Sequence, residues 1–303
     1  MLNKTDFYFL TIAEEGNLNT AAQKLYVSQP SLSKYIQRLE NQLGTTLFDR
    51  SCSPMQLNEA GNLYLRHLMD RIEQEKQLLD QLQEIDGEIR GTLRLGIPPF
   101  CGQCYLPKVL PIFAKAFPHV SIELHEGMGA SIEHALSNRK LDLAILPHPI
   151  SNEDFSCQPL LREAVLLVTK RTEGPVSTPS RIVVQPGRQE HFIGKSTILP
   201  HPSQKISAII AEYFSAIGYR PAVYTRTQNV TTTLALVAAG IGIGFVPYAG
   251  LDTISEDIIR NLSFYTLAPD MADLQFVSVT RKGAPISVYT RRFLEIFRNS
   301  AAK

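Results

Sequence analysis

An excess of charge of either sign is missing from this chain: 30 Lys and Arg stand against 29 Asp and Glu, a formal net charge of +1. The chain as a whole is therefore not a basic nucleic-acid binder, and contact with a polyanion has to come from local placement of charge. Cysteine is scarce, with only Cys52, Cys101, Cys104 and Cys157 present. So few thiols in so long a chain imply no disulfide framework and a reduced, cytoplasmic setting. In that setting the Asn-X-Ser/Thr sequences at Asn229 and Asn261 carry no glycan. No run of about 18 apolar residues exists, so no membrane span and no membrane partner are expected. The opening MLNKTDFYFLTIAEEG has acids inside its apolar run and no small-residue cleavage site, so no secretion leader is expected.

What is present is enough apolar residue for packed cores, 44% of 303 residues, and a length that implies two or three domains. Three regimes follow one another. Residues 1–58 read as three short helices and a small ribbon. Phe7, Phe9, Leu10 and Ile12 form the apolar side of the first helix. The second runs through TAAQKLYV, with Asn19 or Thr20 as its cap. The third opens at Ser28, with Pro30 early in the first turn where a missing N–H costs nothing. LFDRSCSPMQL then reads as a two-stranded ribbon turning near Ser53-Pro54. Residues 59–90 lack proline and read as one long helix. Leu65, Leu68, Ile72, Leu79, Leu82 and Ile89 form a seam interrupted by Glu75, suited to pairing with a second copy. From residue 91 to 303, β-rich runs alternate with helical ones, an α/β pattern with a cleft at the carboxyl ends of its strands.

Two helices, a tight turn and a ribbon make a winged helix-turn-helix, whose second helix enters the major groove by its N-terminal end. On that helix Gln29, Ser31, Ser33 and Lys34 can reach bases: Gln can pair with adenine and Lys can reach guanine. Arg38 lies a turn further on and suits phosphate. The segment AAQKLYVSQPSLSKYIQRLENQLGTTLFDR, followed by LNEAG, closely resembles the signature of LysR-type transcriptional regulators. LRLGI, LDLAI and LALVAAGIGIGFVP fit the same family layout further on, so the resemblance covers nearly the whole chain.

The resemblance implies a regulator of double-stranded promoter DNA, assembled with itself as a homotetrameric dimer of dimers, with RNA polymerase as a further partner. It places Ser28, Gln29, Pro30, Ser31, Ser33, Lys34 and Arg38 at the DNA, and Arg50 in a wing that reaches the minor groove. Family wings carry further Arg or Lys after that position, whereas here the segment is SCSPMQ, so wing electrostatics are weak. It also implies a periplasmic-binding-protein-like effector domain: one subdomain of 91–161 with 269–303, the other of 162–268. A small-molecule effector, with an anion well suited to it, then sits between them. Its expected contacts are Cys101, Gly102, Gln103, Met128, Gly129, Pro147 and His148 on one side. On the other they are His201, Pro202, Ser203 and the Gln228–Thr231 turn with Val230.

Cys101-Gly102-Gln103-Cys104 admits three readings: packing residues, a redox dithiol at a helix N-terminus, or, with His148 and His201, a metal site. A thiol-redox-responsive regulator or thiol-disulfide protein is thus the alternative function, and packing is the reading preferred. Ser31-Leu32-Ser33-Lys34 matches S-x-x-K, but no companion motif follows it. Gly240, Gly242 and Gly244 precede a strand-like run rather than linking a strand to a helix, unlike a dinucleotide fingerprint. No nucleophile, base and oxyanion hole assemble, so neither an enzyme nor a cofactor or resident metal is expected.

Overall fold

A computed structural model describes residues 4–86, 89–267 and 273–301. Two compact units emerge: Met1–Gly87 with Ala284–Ile286, and Glu88–Gly283 with Ser287–Lys303.

The first unit holds helices α1 (Lys4–Glu15), α2 (Leu18–Lys24) and α3 (Gln29–Leu43), strands β1 (Phe48–Asp49) and β2 (Gln56–Leu57), and helix α4 (Glu59–Asp86). Their core is Tyr8, Phe9, Ile12, Ala21, Ala22, Leu32, Ile36, Leu39, Leu47, Phe48 and Leu68. The helical phase of α1 points Tyr8 inward and leaves Phe7 more than half exposed, correcting the expected stripe. Asn17, not Asn19 or Thr20, caps α2, because its side chain accepts the N–H groups of both those residues. Helix α2 then ends early: Tyr26 adopts φ +54°, a left-handed conformation that costs a non-glycine residue about 1–2 kcal/mol. Ser28 caps α3 through the Ser31 N–H, and Gly44, at φ 68°, closes it.

The wing is fixed from beneath. Glu40, nearly buried on α3, accepts the Leu47 N–H at 2.8 Å and the Arg50 Nη2 at 3.0 Å. Asp6 of α1 is likewise buried and accepts from Tyr64 and Arg71 of α4. The expected seam of α4 divides. Leu68 is buried in this core and Leu65 and Ile72 pack against it, whereas Leu79 and Leu82 are exposed together with Leu78. The helix also stops short of residue 90: Ile89 is not helical and packs instead against the core of the second unit.

The second unit runs β3 (Gly91–Ile97), α5 (Pro99–Ala116), β4 (Val120–Glu126), α6 (Gly129–Ser137), β5 (Leu143–Pro147), β6 (Phe155–Lys170), β7 (Val184–Pro186), β8 (Ser196–Pro200), α7 (Lys205–Ala216), β9 (Ala222–Thr227), α8 (Val230–Ala238), β10 (Ile243–Pro247), α9 (Glu256–Ile259), β11 (Leu262–Thr266), β12 (Asp273–Arg281) and α10 (Val288–Ala301). Strand order is β4-β3-β5-β12-β6-β10-β8-β9, with β11 between β6 and β7. β3 is parallel to β4 and β5, and β8 is parallel to β9 and β10, which marks two α/β lobes. The 16-residue β6 joins them, pairing with β12 up to Ala164 and with β10 from Val165. The segment PPFCGQC enters helix at Pro99, which fits the first turn, and α5 tolerates Pro107 and Pro111 inside it.

The glycine of LNEAG has a physical cause in this packing. A Cβ on Gly61 would stand 2.0 Å from the Leu47 carbonyl oxygen, and backbone cannot yield as a side chain can. Gly61→Ala is expected to destabilise the first unit by about 1–3 kcal/mol, read as a lower denaturation midpoint, while an exposed change such as Asn62→Ala leaves it nearly unchanged.

Candidate functional site

Two surfaces carry the chemistry. On the first unit, Gln29, Pro30, Ser31, Lys34 and Arg38 are exposed along α3, and Ser33 is half-buried. The Ser28 hydroxyl is tied to Ser31 at 2.9 Å, so both are ordered by the cap. Arg50 is not a free wing cation, because one guanidinium nitrogen is held by Glu40 at 3.0 Å. Lys24 is likewise bound, to Glu15 at 2.8 Å and Glu14 at 3.4 Å.

On the second unit a cleft of about 580 Å³ opens between the lobes, a size that suits a small metabolite. Four helices begin on it. Pro98 and Pro99 start α5, Met128 and Gly129 start α6, Gln204 and Lys205 start α7, and Asn229 and Val230 start α8. Helix N-termini present unpaired N–H groups and a positive dipole end, favouring negative charge. Phe100, Leu146, Ile206, Phe245, Leu274 and Phe276 supply apolar wall.

The cleft also reaches Glu163, which is 7% exposed on β6. Its carboxyl accepts from the Tyr105 hydroxyl of α5 and from the Ala249 N–H beyond β10, one group from each lobe. Burial pushes its pKa up, against the pull of those two bonds and of Lys108. Burial, then the Glu163 charge and the bond to it, hold the Tyr105 phenol protonated far above its usual range. Burial and the charges of Glu163 and Asp252 push the Cys104 thiol up to about 12. Burial, then Cys104 and Glu163, raise Cys101 well above the ordinary value.

The dithiol reading therefore loses its basis. A reactive cysteine needs a lowered pKa and ready access; burial raises the pKa of both of these, and although they border the cleft they are only 7% and 2% exposed. Both are buried in the core of this unit, on one side of α5. The metal reading fails with it. Among the described residues no group of three or more His, Cys, Asp and Glu could hold an ion, and His148 and His201 are exposed and off the cleft lining.

Of the effector contacts expected, Cys101, Gln103, Met128, Gly129, Pro147, Ser203 and Val230 line the cleft, as do Gln228 and Asn229. Gly102, His148, His201, Pro202 and Thr231 do not. Gly102 faces the sheet, where a Cβ would meet Glu126 at 2.9 Å. The His201 Nδ1 pairs with the Ser203 hydroxyl at 2.8 Å, and only the serine of the two is on the lining. His148 and His201 directly follow strands β5 and β8, where successive side chains point alternately to opposite faces, whereas Gly102 and Thr231 lie within helices, whose residues point around the axis. Glu163 went unrecognised in the sequence, although an acid leading the apolar run AVLLV was its visible signal.

A winged helix-turn-helix and a two-lobed α/β domain with a cleft between its lobes, carried on one chain, define a DNA-binding transcriptional regulator. Residues 86–302 match the LysR substrate binding domain, and residues 7–62 match the bacterial regulatory helix-turn-helix protein, lysR family. The chain belongs to the LysR family of transcriptional regulators. It is 27% identical to the uncharacterized HTH-type transcriptional regulator YcgK of Bacillus subtilis, over 97% of this chain and 93% of that protein. A full-length OxyR variant from Pseudomonas aeruginosa shares its fold, with a TM-score of 0.67 at 19% identity, covering 99% of this chain and 97% of that one. So does full-length CbnR complexed with the target DNA, with a TM-score of 0.57 at 21% identity, covering 99% and 100%.

Two measurements follow. In a thiol-labelling time course at pH 8, Cys52 is expected to react first and Cys101 and Cys104 last, their modification waiting on unfolding; prompt loss of either would restore the dithiol reading. For Glu163, a raised folded pKa means a stabilising contribution complete below the ordinary 4.5 and lost as pH rises through the raised value. The melting temperature of the native protein relative to Glu163→Gln should therefore fall as pH is taken from 4.5 toward 8. A difference that is flat with pH would contradict this.

Proposed function

We propose that this chain regulates transcription from the cytoplasm as a dimer of dimers, reading promoter DNA with α3 and responding to a small organic anion in the sensor cleft. The observation that carries the DNA reading is α3 itself, whose capped N-terminal end turns Gln29, Ser31 and Lys34 outward. Gln and Lys there have the donors and acceptors that distinguish base edges in a major groove.

Self-association is supported by the far half of α4, where Leu78, Leu79 and Leu82 are 56%, 58% and 48% exposed. A helix bearing such a stripe gains by covering it with another. A second surface lies at the two edges of the sensor sheet, where Leu124 on β4 and Val223 and Tyr224 on β9 are exposed. The anion reading rests on the four helix N-termini and on Lys205, all on the cleft lining. Glu133 and Glu163, also on the lining, oppose a ligand that is negative at every end. Coupling between the two sites requires that the effector bind one assembly state more tightly than another.

Footprinting with the full-length protein on the DNA flanking its own gene tests the reading. A protected tract is expected, and its absence with folded protein overturns the assignment. Gln29→Ala should cost about 1–3 kcal/mol on the best site and relax one base position. Residues 1–66 carry six Lys and Arg against six Asp and Glu. A half-site should accordingly show a shallow salt dependence, a log–log slope of about −2 to −3.

A further inference from the structure

Helix α2 ends in a Schellman arrangement: the Val27 N–H donates to the Ala22 carbonyl at 3.0 Å and the Tyr26 N–H to the Gln23 carbonyl at 3.1 Å. The turning residue in this motif is usually glycine, and Gly44 takes that conformation at the end of α3. Here it is Tyr26, at φ +54°. The two backbone bonds of the turn would form equally with glycine, so they do not account for a tyrosine there. Tyr26 is 96% exposed, and among the described residues its side chain makes no hydrogen bond, ion pair or ring contact. Strain retained without an internal return points to a partner outside the chain.

The position says which partner. Two residues on, Ser28 caps the reading helix, and Gln29 follows at its exposed tip. The surrounding unit is also short of free cations. Lys24 is held by Glu15 and Glu14, and Arg50 by Glu40. A DNA-binding surface with few unengaged cations must grip phosphates largely through neutral donors, and a tyrosine hydroxyl is one of those used.

We propose that Tyr26 is a phosphate contact: its hydroxyl donates a hydrogen bond to a DNA backbone oxygen beside the bases that Gln29 reads, and the left-handed turn aims the ring outward to make it. This rests on α3 being the reading helix. A neutral donor releases no counterion of its own, so the contact adds affinity without adding salt dependence.

The test uses full-length protein and a duplex that it selects from a random pool. Tyr26→Phe keeps the ring and should weaken binding about five- to tenfold, alike on selected and unrelated duplexes, with the salt slope and melting temperature unchanged. Tyr26→Gly relieves the turn, so it should raise the melting temperature and lower affinity at least as much. Gln29→Ala run alongside separates the two ideas. If Gln29→Ala relaxes sequence choice while both Tyr26 variants bind as the native chain does, the phosphate contact falls and α3 stands. If Tyr26→Phe binds normally and only Tyr26→Gly weakens, the ring rather than the hydroxyl matters and the proposal is overturned. Normal DNA binding by both with lost promoter activation would assign Tyr26 to a protein partner instead. If the native chain selects no duplex at all, the proposal and the reading of α3 fall together.

Discussion

One strand holds the sensing half of this protein together. β6 gives its first ten residues to β12 and its remainder to β10 and β11, so one extended strand belongs to both lobes. The cleft lies where that strand passes from one lobe to the other, because the parallel strands of each lobe deliver their helix N-termini to the same gap. Glu163 sits at this passage, one residue before the change of partner, and takes a donor from each lobe. A buried carboxyl bonded to both sides is sensitive to how the lobes lie. That is the property a ligand between them would act through.

The cleft lining is chemically mixed. Four helix N-termini and Lys205 favour negative charge, beside aromatic and aliphatic walls. Glu163 and two thiols whose burial raises their pKa values share the same lining. Such a contrast would orient a ligand before selecting one, since an anionic end gains at the helix N-termini and loses beside Glu163.

The DNA-binding unit solves a different problem, that of presenting a helix to a polyanion when its residues 1–66 carry six bases against six acids. Acids are spent on internal order: Glu40 fixes the wing and Asp6 ties α1 to α4. These pairs engage Arg50 and Arg71 within the unit, which leaves fewer unpaired bases on it. Specificity gains relative weight when the non-specific electrostatic share shrinks.

The helix-turn-helix, the ribbon, the long helix and the α/β alternation of the sensor were all legible, because each rests on local periodicity, caps and turn residues. The N-terminal end of α3 was readable for the same reason: Ser28 and Pro30 mark a helix start wherever they occur in such a pattern. Other features were decided only by packing. Pro99 to Cys104 entered a helix in spite of adjacent prolines and a glycine, and burial raised the pKa values of a cysteine pair whose spacing suggested reactivity. The wing arginine was claimed by Glu40, ten positions earlier, and Glu163 found its donors 58 and 86 positions away. Sequence by itself determined which segments form helices and strands and what kind of molecule they make. Tertiary structure alone decided which side chains meet solvent, ligand or one another, since burial and long-range hydrogen bonding depend on neighbours that no local pattern encodes.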